Sequence, residues 1–166
     1  VGTRKSLPYF VDGDADAGAP AVKVLQDCFA GLKSAPSFWA TSFGNTNPLL
    51  HGPLTLLNGT RIETEDAKAW NLFGDGATPL VCETILACDS ERRTVAKHLG
   101  VELAPMLDAY SASFGRPIRN ATDLSQAFRA SPMHSNPSHP APSNFDTRYI
   151  TEDVPRSEEH TSELQS

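Results

Sequence analysis

Residues Asn45 to Asn58 read NTNPLLHGPLTLLN, and the rest of the chain takes its meaning from this stretch. Its one ionisable side chain is His51, set among Leu49, Leu50, Leu54, Leu56 and Leu57. Leu49, Leu50, Leu54 and Leu57 recur near helical spacing, so the stretch predicts a helix. Pro48 suits a first helical turn with Asn47 as its N-cap. Pro53 predicts a kink, because an interior proline removes a rung of the hydrogen-bond ladder. Asn58-Gly59 reads as the stop. An imidazole in such a setting can move protons near neutral pH, or it can be a structural core histidine. Partners elsewhere in the chain decide between these roles.

Downstream, the texture stays helical. Thr78 to Leu99 has an N-cap threonine, Pro79 at the first helical position and Gly100 just past the end. Val81, Ile85, Cys88, Val95 and Leu99 mark its inward face. Glu91, Arg92, Arg93 and Lys97 read as a solvated face with helical-spacing charge support. Two further helices are expected, over Glu102 to Phe114 and over Asp123 to Ala130. Leu103, Met106, Leu107 and Tyr110 point inward in the first, and Thr122 or Asp123 caps the second. Ser131 to Asn144, with four prolines and four serines, reads as a long irregular crossing. His134 and His139 lie in it. They read as solvated loop histidines, since no cysteine or carboxylate stands at metal-ligand spacing.

Upstream, residues 1 to about 40 alternate short β-like runs with turns. Ser6 to Val11, Ala21 to Val24 and Ser37 to Thr41 are the expected strands. Asp12 to Ala19, rich in Gly and Asp, is the expected loop between the first two. No glycine-rich phosphate-cradling motif occurs anywhere.

The 166 residues suit about one domain, 39% of them hydrophobic and 20% charged. The net charge of −6 offers nothing to attract nucleic acid. No apolar run is long enough to span a bilayer, and none follows Val1 to Lys5 as a signal peptide would require. Cys28, Cys82 and Cys88 form no CxxC pair, which suits a reduced cytoplasmic protein without disulfides or a metal site. The sequons at Asn58 and Asn120 would matter only in a secreted protein. The last eleven residues, RSEEHTSELQS from Arg156 to Ser166, resemble a conceptual translation of a common sequencing-library adapter. They are left out of the reading below, an ordinary acidic tail being the alternative. Without Arg156, Glu158, Glu159 and Glu163 the net charge is −6 − 1 + 3 = −4, still acidic.

The candidate partners for His51 lie in Phe145 to Pro155, FDTRYITEDVP. Arg148 offers a planar fork suited to a substrate carboxylate. Asp153 could accept a hydrogen bond from an imidazole and fix its tautomer. A surface ion-pair cluster is the alternative for this segment taken alone.

Three stretches carry a family resemblance: Asn45 to Asn58, Ala87 to Gly100 (ACDSERRTVAKHLG) and Arg148 to Pro155 (RYITEDVP). Together they resemble the C-terminal helical domain of the NAD/NADP octopine/nopaline (opine) dehydrogenase family. That family shows an Asn-containing segment leading to a histidine, then a helix with a D-x-E-R pattern, then an R-Y-x-x-E-D-[VI]-P motif. Asp89, Glu91 and Arg92 fit the middle pattern, and Gly52 departs from the proline common after the histidine. The resemblance implies a mainly α fold, the C-terminal helical bundle of a two-domain dehydrogenase (6-phosphogluconate dehydrogenase C-terminal-like). It implies that 1–40 is the remnant of a truncated Rossmann domain, its last short strands, and that 41–155 is the helical substrate domain, with 156–166 an artefactual tail.

It further implies reduction, with NAD or NADP, of the imine formed from an amino acid and an α-keto acid. His51 would be the acid/base, Asp153 would orient it, and Arg148 would bind a substrate carboxylate. The cofactor site would lie mostly upstream, so the chain alone is expected to be inactive. The parent could be a cytoplasmic homodimer. Two rivals stand beside this reading. One is another two-domain helical dehydrogenase, of the glycerol-3-phosphate or ketopantoate reductase type, which uses a lysine. The other is a helical interaction module without chemistry. The separation of His51 and Asp153 is the discriminator for the second: a distance far beyond hydrogen-bond or single-water reach, with both side chains facing solvent, would favour it.

Overall fold

The computed structural model describes residues 7–10, 15–29, 31–136 and 140–155. The chain divides into two compact units. One comprises the described residues up to Asn45 together with Val95–Leu103. The other comprises Thr46–Thr94 and the described residues from Ala104 onward.

In the first unit, strand β1 (Leu7–Tyr9) pairs in parallel with β2 (Leu32–Ser34), with Leu7 opposite Leu32 and Tyr9 opposite Ser34. Parallel neighbours need a crossover, and helix α1 (Ala15–Cys28) supplies it. The described part of the expected loop at Asp12 to Ala19, and the expected strand at Ala21 to Val24, are therefore helical. Alanines at 15, 17, 19 and 21 are the strongest helix formers, and they outweigh the glycine and the single rung lost at Pro20. The third expected strand, Ser37 to Thr41, is instead the start of helix α2 (Phe38–Gly44). Ser37 is its N-cap, with Oγ accepting from the Ala40 amide at 3.1 Å. β2 itself was not foreseen, since Leu-Lys-Ser shows no periodicity.

The second unit opens with α3 (Asn47–Leu56), whose N-cap is Thr46 rather than Asn47. The helix runs through Pro53, and Leu50, His51, Gly52, Leu54 and Thr55 are buried. α3 ends at Leu56, close to the expected stop at Asn58-Gly59. The Asn58 side-chain amide donates to the carbonyls of Leu54 at 2.8 Å and Gly76 at 3.1 Å, and α4 (Gly59–Thr64) begins at once. Arg61 of α4 lies 4.2 Å from the centre of the Trp70 ring and forms a two-pronged pair with Glu65.

Helix α5 (Pro79–His98) follows the expected boundaries, with Thr78 Oγ1 accepting from the Val81 amide and Gly100 in the left-handed region at φ 75°. Its buried stripe is Val81, Cys82, Ile85, Asp89 and Ala96, while Val95 of the expected inward face is exposed. Arg92 is not on a solvated face as expected: its side chain is 8% exposed. Asp89 binds Arg92 through Nε at 3.1 Å and through Nη2, and Arg93 lies 3.5 Å away. The other Asp89 oxygen accepts the amide of Met106 at 3.0 Å, the first residue of α6 (Met106–Phe114). Pro105 disfavours helix at the residue before it, so α6 starts four residues later than the periodicity predicts. Asn120 caps α7 (Ala121–Ala130), accepting from the Asp123 amide at 2.9 Å. Asp123 in turn accepts from the backbone amide of Arg119, the residue before the cap. Ser131 onward is irregular where described, up to the short helix α8 (Arg148–Thr151).

Leu50, Leu54, Ile62, Leu72, Ile85 and Phe128 are among the side chains of one continuous buried core. The described elements are mainly helical. Among the described residues no helix is long and apolar enough to cross a membrane.

Candidate active site

His51 enters the second unit on the buried face of α3, one turn before Thr55. Its neighbours on that face, Leu50 and Leu54, belong to the core, so α3 is held by apolar burial and the imidazole rides on a fixed support. The segment that meets it is α8 and the residues just beyond. Asp153 Oδ2 lies 2.6 Å from His51 Nδ1, across 102 residues of chain. His51 is 6% exposed and Asp153 1%. A short charge-assisted contact in a dry setting fixes the ring and assigns Nδ1 to the carboxylate.

Two aromatic rings complete the setting. Tyr149 lies against the imidazole with ring centres 4.2 Å apart and planes tilted by 34°. Phe73 meets it edge-on at 5.9 Å. Arg148, exposed on α8, places its guanidinium 5.7 Å from the centre of the Tyr149 ring. Sequence reasoning thus named His51, Asp153 and Arg148, and the structure brings the first two into direct contact. It missed Tyr149 and Phe73. An aromatic residue between the arginine and the acid was the available signal for Tyr149; nothing local marks Phe73.

Tyr149 and Phe73 also line a pocket of about 120 Å³, together with Leu72, Met133, His134 and Pro140. His134 is not the solvated loop histidine expected. It is half-buried, its Nδ1 lies 2.9 Å from Ser131 Oγ, and its ring packs against Phe128, Phe73 and Phe114 at 5.1, 5.4 and 5.6 Å. His139 lies outside the described residues.

Other reactive groups stand back from this chemistry. Burial pushes the Cys82 thiol up to about 12, and burial with the nearby Glu91 raises that of Cys88, so neither is poised as a thiolate. Among the described residues no group of three His, Cys, Asp or Glu side chains could hold a metal ion. The pocket is far smaller than the ~300–1,000 Å³ that enclose drug-sized ligands, so it does not fit a dinucleotide.

Comparison with known proteins supplies the family of the chain. Residues 34–164 match the alpha-helical domain of the NAD/NADP octopine/nopaline dehydrogenases, a match that runs into the adapter-like tail. The opine dehydrogenase of Arthrobacter sp. (strain 1C) is 29% identical over 153 residues, covering 81% of this chain and 40% of that protein. The chain therefore spans about two fifths of the length of that relative. A family match over most of its length means that the chain belongs to the NAD/NADP octopine/nopaline dehydrogenase family, whose alpha-helical domain it carries.

Proposed function

We propose that this chain is the acid/base and substrate-binding part of an NAD(P)-dependent oxidoreductase that reduces the imine of an amino acid and an α-keto acid. The observation that carries the reading is the buried 2.6 Å contact between His51 and Asp153, both within the residues that match the family. Reducing a neutral imine consumes a hydride at carbon and a proton at nitrogen. The dinucleotide, when bound, supplies the hydride.

The remaining work falls to this chain. His51 gives the proton from Nε2, since Nδ1 is committed to Asp153. The buried carboxylate stabilises the imidazolium before transfer and holds the ring in line. Arg148, exposed beside Tyr149, receives the carboxylate of a substrate through its planar fork. Two observations weigh against the rivals. Lys68 and Lys97 are both exposed, which disfavours a lysine-centred mechanism. A histidine and an acid buried together would be costly ornaments in a module without chemistry.

Because the 166 residues contain no glycine-rich phosphate loop, turnover requires a dinucleotide domain joined to this one. The test uses the full-length protein that carries this segment, with NADH or NADPH, pyruvate as the keto acid, and a panel of amino acids. Expected is cofactor oxidation that depends on both organic substrates, with a secondary amine dicarboxylate as product by mass spectrometry. Oxidation that proceeds with the keto acid alone, yielding only the hydroxy acid, would show a different dehydrogenase. The purified 166-residue chain should oxidise neither cofactor.

A further inference from the structure

We propose that the pocket beside the dyad receives the uncharged, apolar side chain of the amino-acid substrate and rejects cationic ones. This rests on the reading of His51 as the acid/base. The connection is geometric. Phe73 and Tyr149 each touch the His51 ring with one part and wall the pocket with another. A substrate whose reacting nitrogen sits at His51 has this pocket beside it, and Arg148, its guanidinium 5.7 Å from the centre of the Tyr149 ring, is near enough to serve the α-carboxylate.

The lining decides the chemistry. Leu72, Phe73, Met133 and Pro140 are apolar, and the polar side chains among the lining residues are His134 and Tyr149. Among the described residues no carboxylate lines it. A guanidinium or ammonium entering would lose its water without a counter-charge, which is unfavourable for any buried ion. The aromatic walls could offset part of that loss by cation–π contact. However, the Arg148 guanidinium already lies 5.7 Å from the centre of the Tyr149 ring. An apolar side chain meets none of these costs and gains from every wall it covers. The pocket's size, about 120 Å³, suits a side chain and not a second whole substrate.

The test compares kcat/KM for leucine, methionine and phenylalanine with that for arginine and lysine in the full-length protein, with one keto acid and saturating cofactor. The apolar group should lead by at least about tenfold, within the ~10–200-fold that pocket packing commonly provides. Met133 at the rim is 61% exposed, so Met133→Glu should fold normally and bring a carboxylate to the mouth. The ratio of apolar to cationic kcat/KM should then fall by about tenfold or more, as expected when a missing counter-charge is supplied. Met133→Gln, of similar size but neutral, should stay within about threefold of the wild-type ratio. Opine formation that favours arginine or lysine in the wild type, or a ratio that Met133→Glu leaves unmoved, overturns the proposal while leaving the acid/base reading intact. Absence of opine formation with every amino acid overturns both.

Discussion

Two buried aspartates in the second unit face opposite kinds of partner. Asp89, on α5, is saturated by groups that never exchange a proton near neutral pH: Arg92, Arg93 and the amide that begins α6. Asp153, beyond α8, gives an oxygen to an imidazole, the side chain type that exchanges protons most readily there. Asp89 joins two helices of the core. Asp153 meets a histidine whose ring neighbours, Phe73 and Tyr149, line a pocket. Burial alone therefore does not mark a functional acid; the titration chemistry and surroundings of its partner do.

The same substitution at both sites tests this contrast most strongly. Asp153→Asn keeps a hydrogen-bonding oxygen near Nδ1 but removes the charge that supports an imidazolium. In the full-length protein kcat/KM should fall about 10²–10⁴-fold, with KM changed far less than kcat. The melting temperature should move little. A melting temperature that drops sharply while kcat/KM stays near wild type would make the pair structural and sink the mechanism. Asp89→Asn should behave in the opposite way. It leaves Arg92 buried without its counter-charge, and the expected cost is about 3–5 kcal/mol of stability. Chemical denaturation of this chain would measure it, and activity at low temperature should survive in whatever fraction remains folded.

The two aspartates also show how much was legible beforehand. His51, Arg148 and Asp153 stood in ordered motifs, so they could be picked out as candidates from residue type and family pattern, and two of them meet in the fold. Asp89 and Arg92 were assigned to the motif and to a solvated face, because helical periodicity places i,i+3 charges together and says nothing of what packs over them. The cover comes from α6, whose start is displaced by Pro105, and no local window contains both. Tyr149 and Phe73 became visible only through tertiary contact, since 75 residues and three helices separate them in sequence. Helix α1 was misread because glycine, aspartate and proline signals compete with alanine propensity in the same stretch, and local rules do not say which prevails.

The core around Asp89 should also answer pH differently from the dyad. Burial pushes Cys82 on α5 from 9.0 up to about 12 and Tyr110 on α6 from 10.0 up to about 12. Between about pH 9 and 12 the folded chain keeps protons that the unfolded chain has released. The unfolded state then binds fewer protons, so stability falls as pH rises through this window and is fully present below it. One such group contributes a slope of at most ~1.4 kcal/mol per pH unit. Unfolding free energies measured from pH 8 to 11 should show this decline, and Cys82→Ala should flatten it even though its own cavity lowers the plateau. An unchanged slope in the variant would mean that Cys82 is not the group releasing its proton.

The mildest test lies next to the dyad itself. Gly52 is buried within α3, and a Cβ built there would meet Val154 Cγ2 at 3.5 Å, an ordinary van der Waals distance. Its φ is not among the positive values, so alanine fits the backbone without strain. Gly52→Ala removes backbone freedom from the unfolded chain and should stabilise the protein by about 0.4–1 kcal/mol. For a chain of this size that is a rise of ~1–4 °C in Tm. The new methyl packs toward the residue that follows Asp153, so it presses on the joint that holds the dyad. A gain in Tm with unchanged kcat/KM would show that the α3 contact tolerates a methyl without shifting His51. A loss in both would show that Gly52 is needed for close approach, placing it with the site and not with the scaffold.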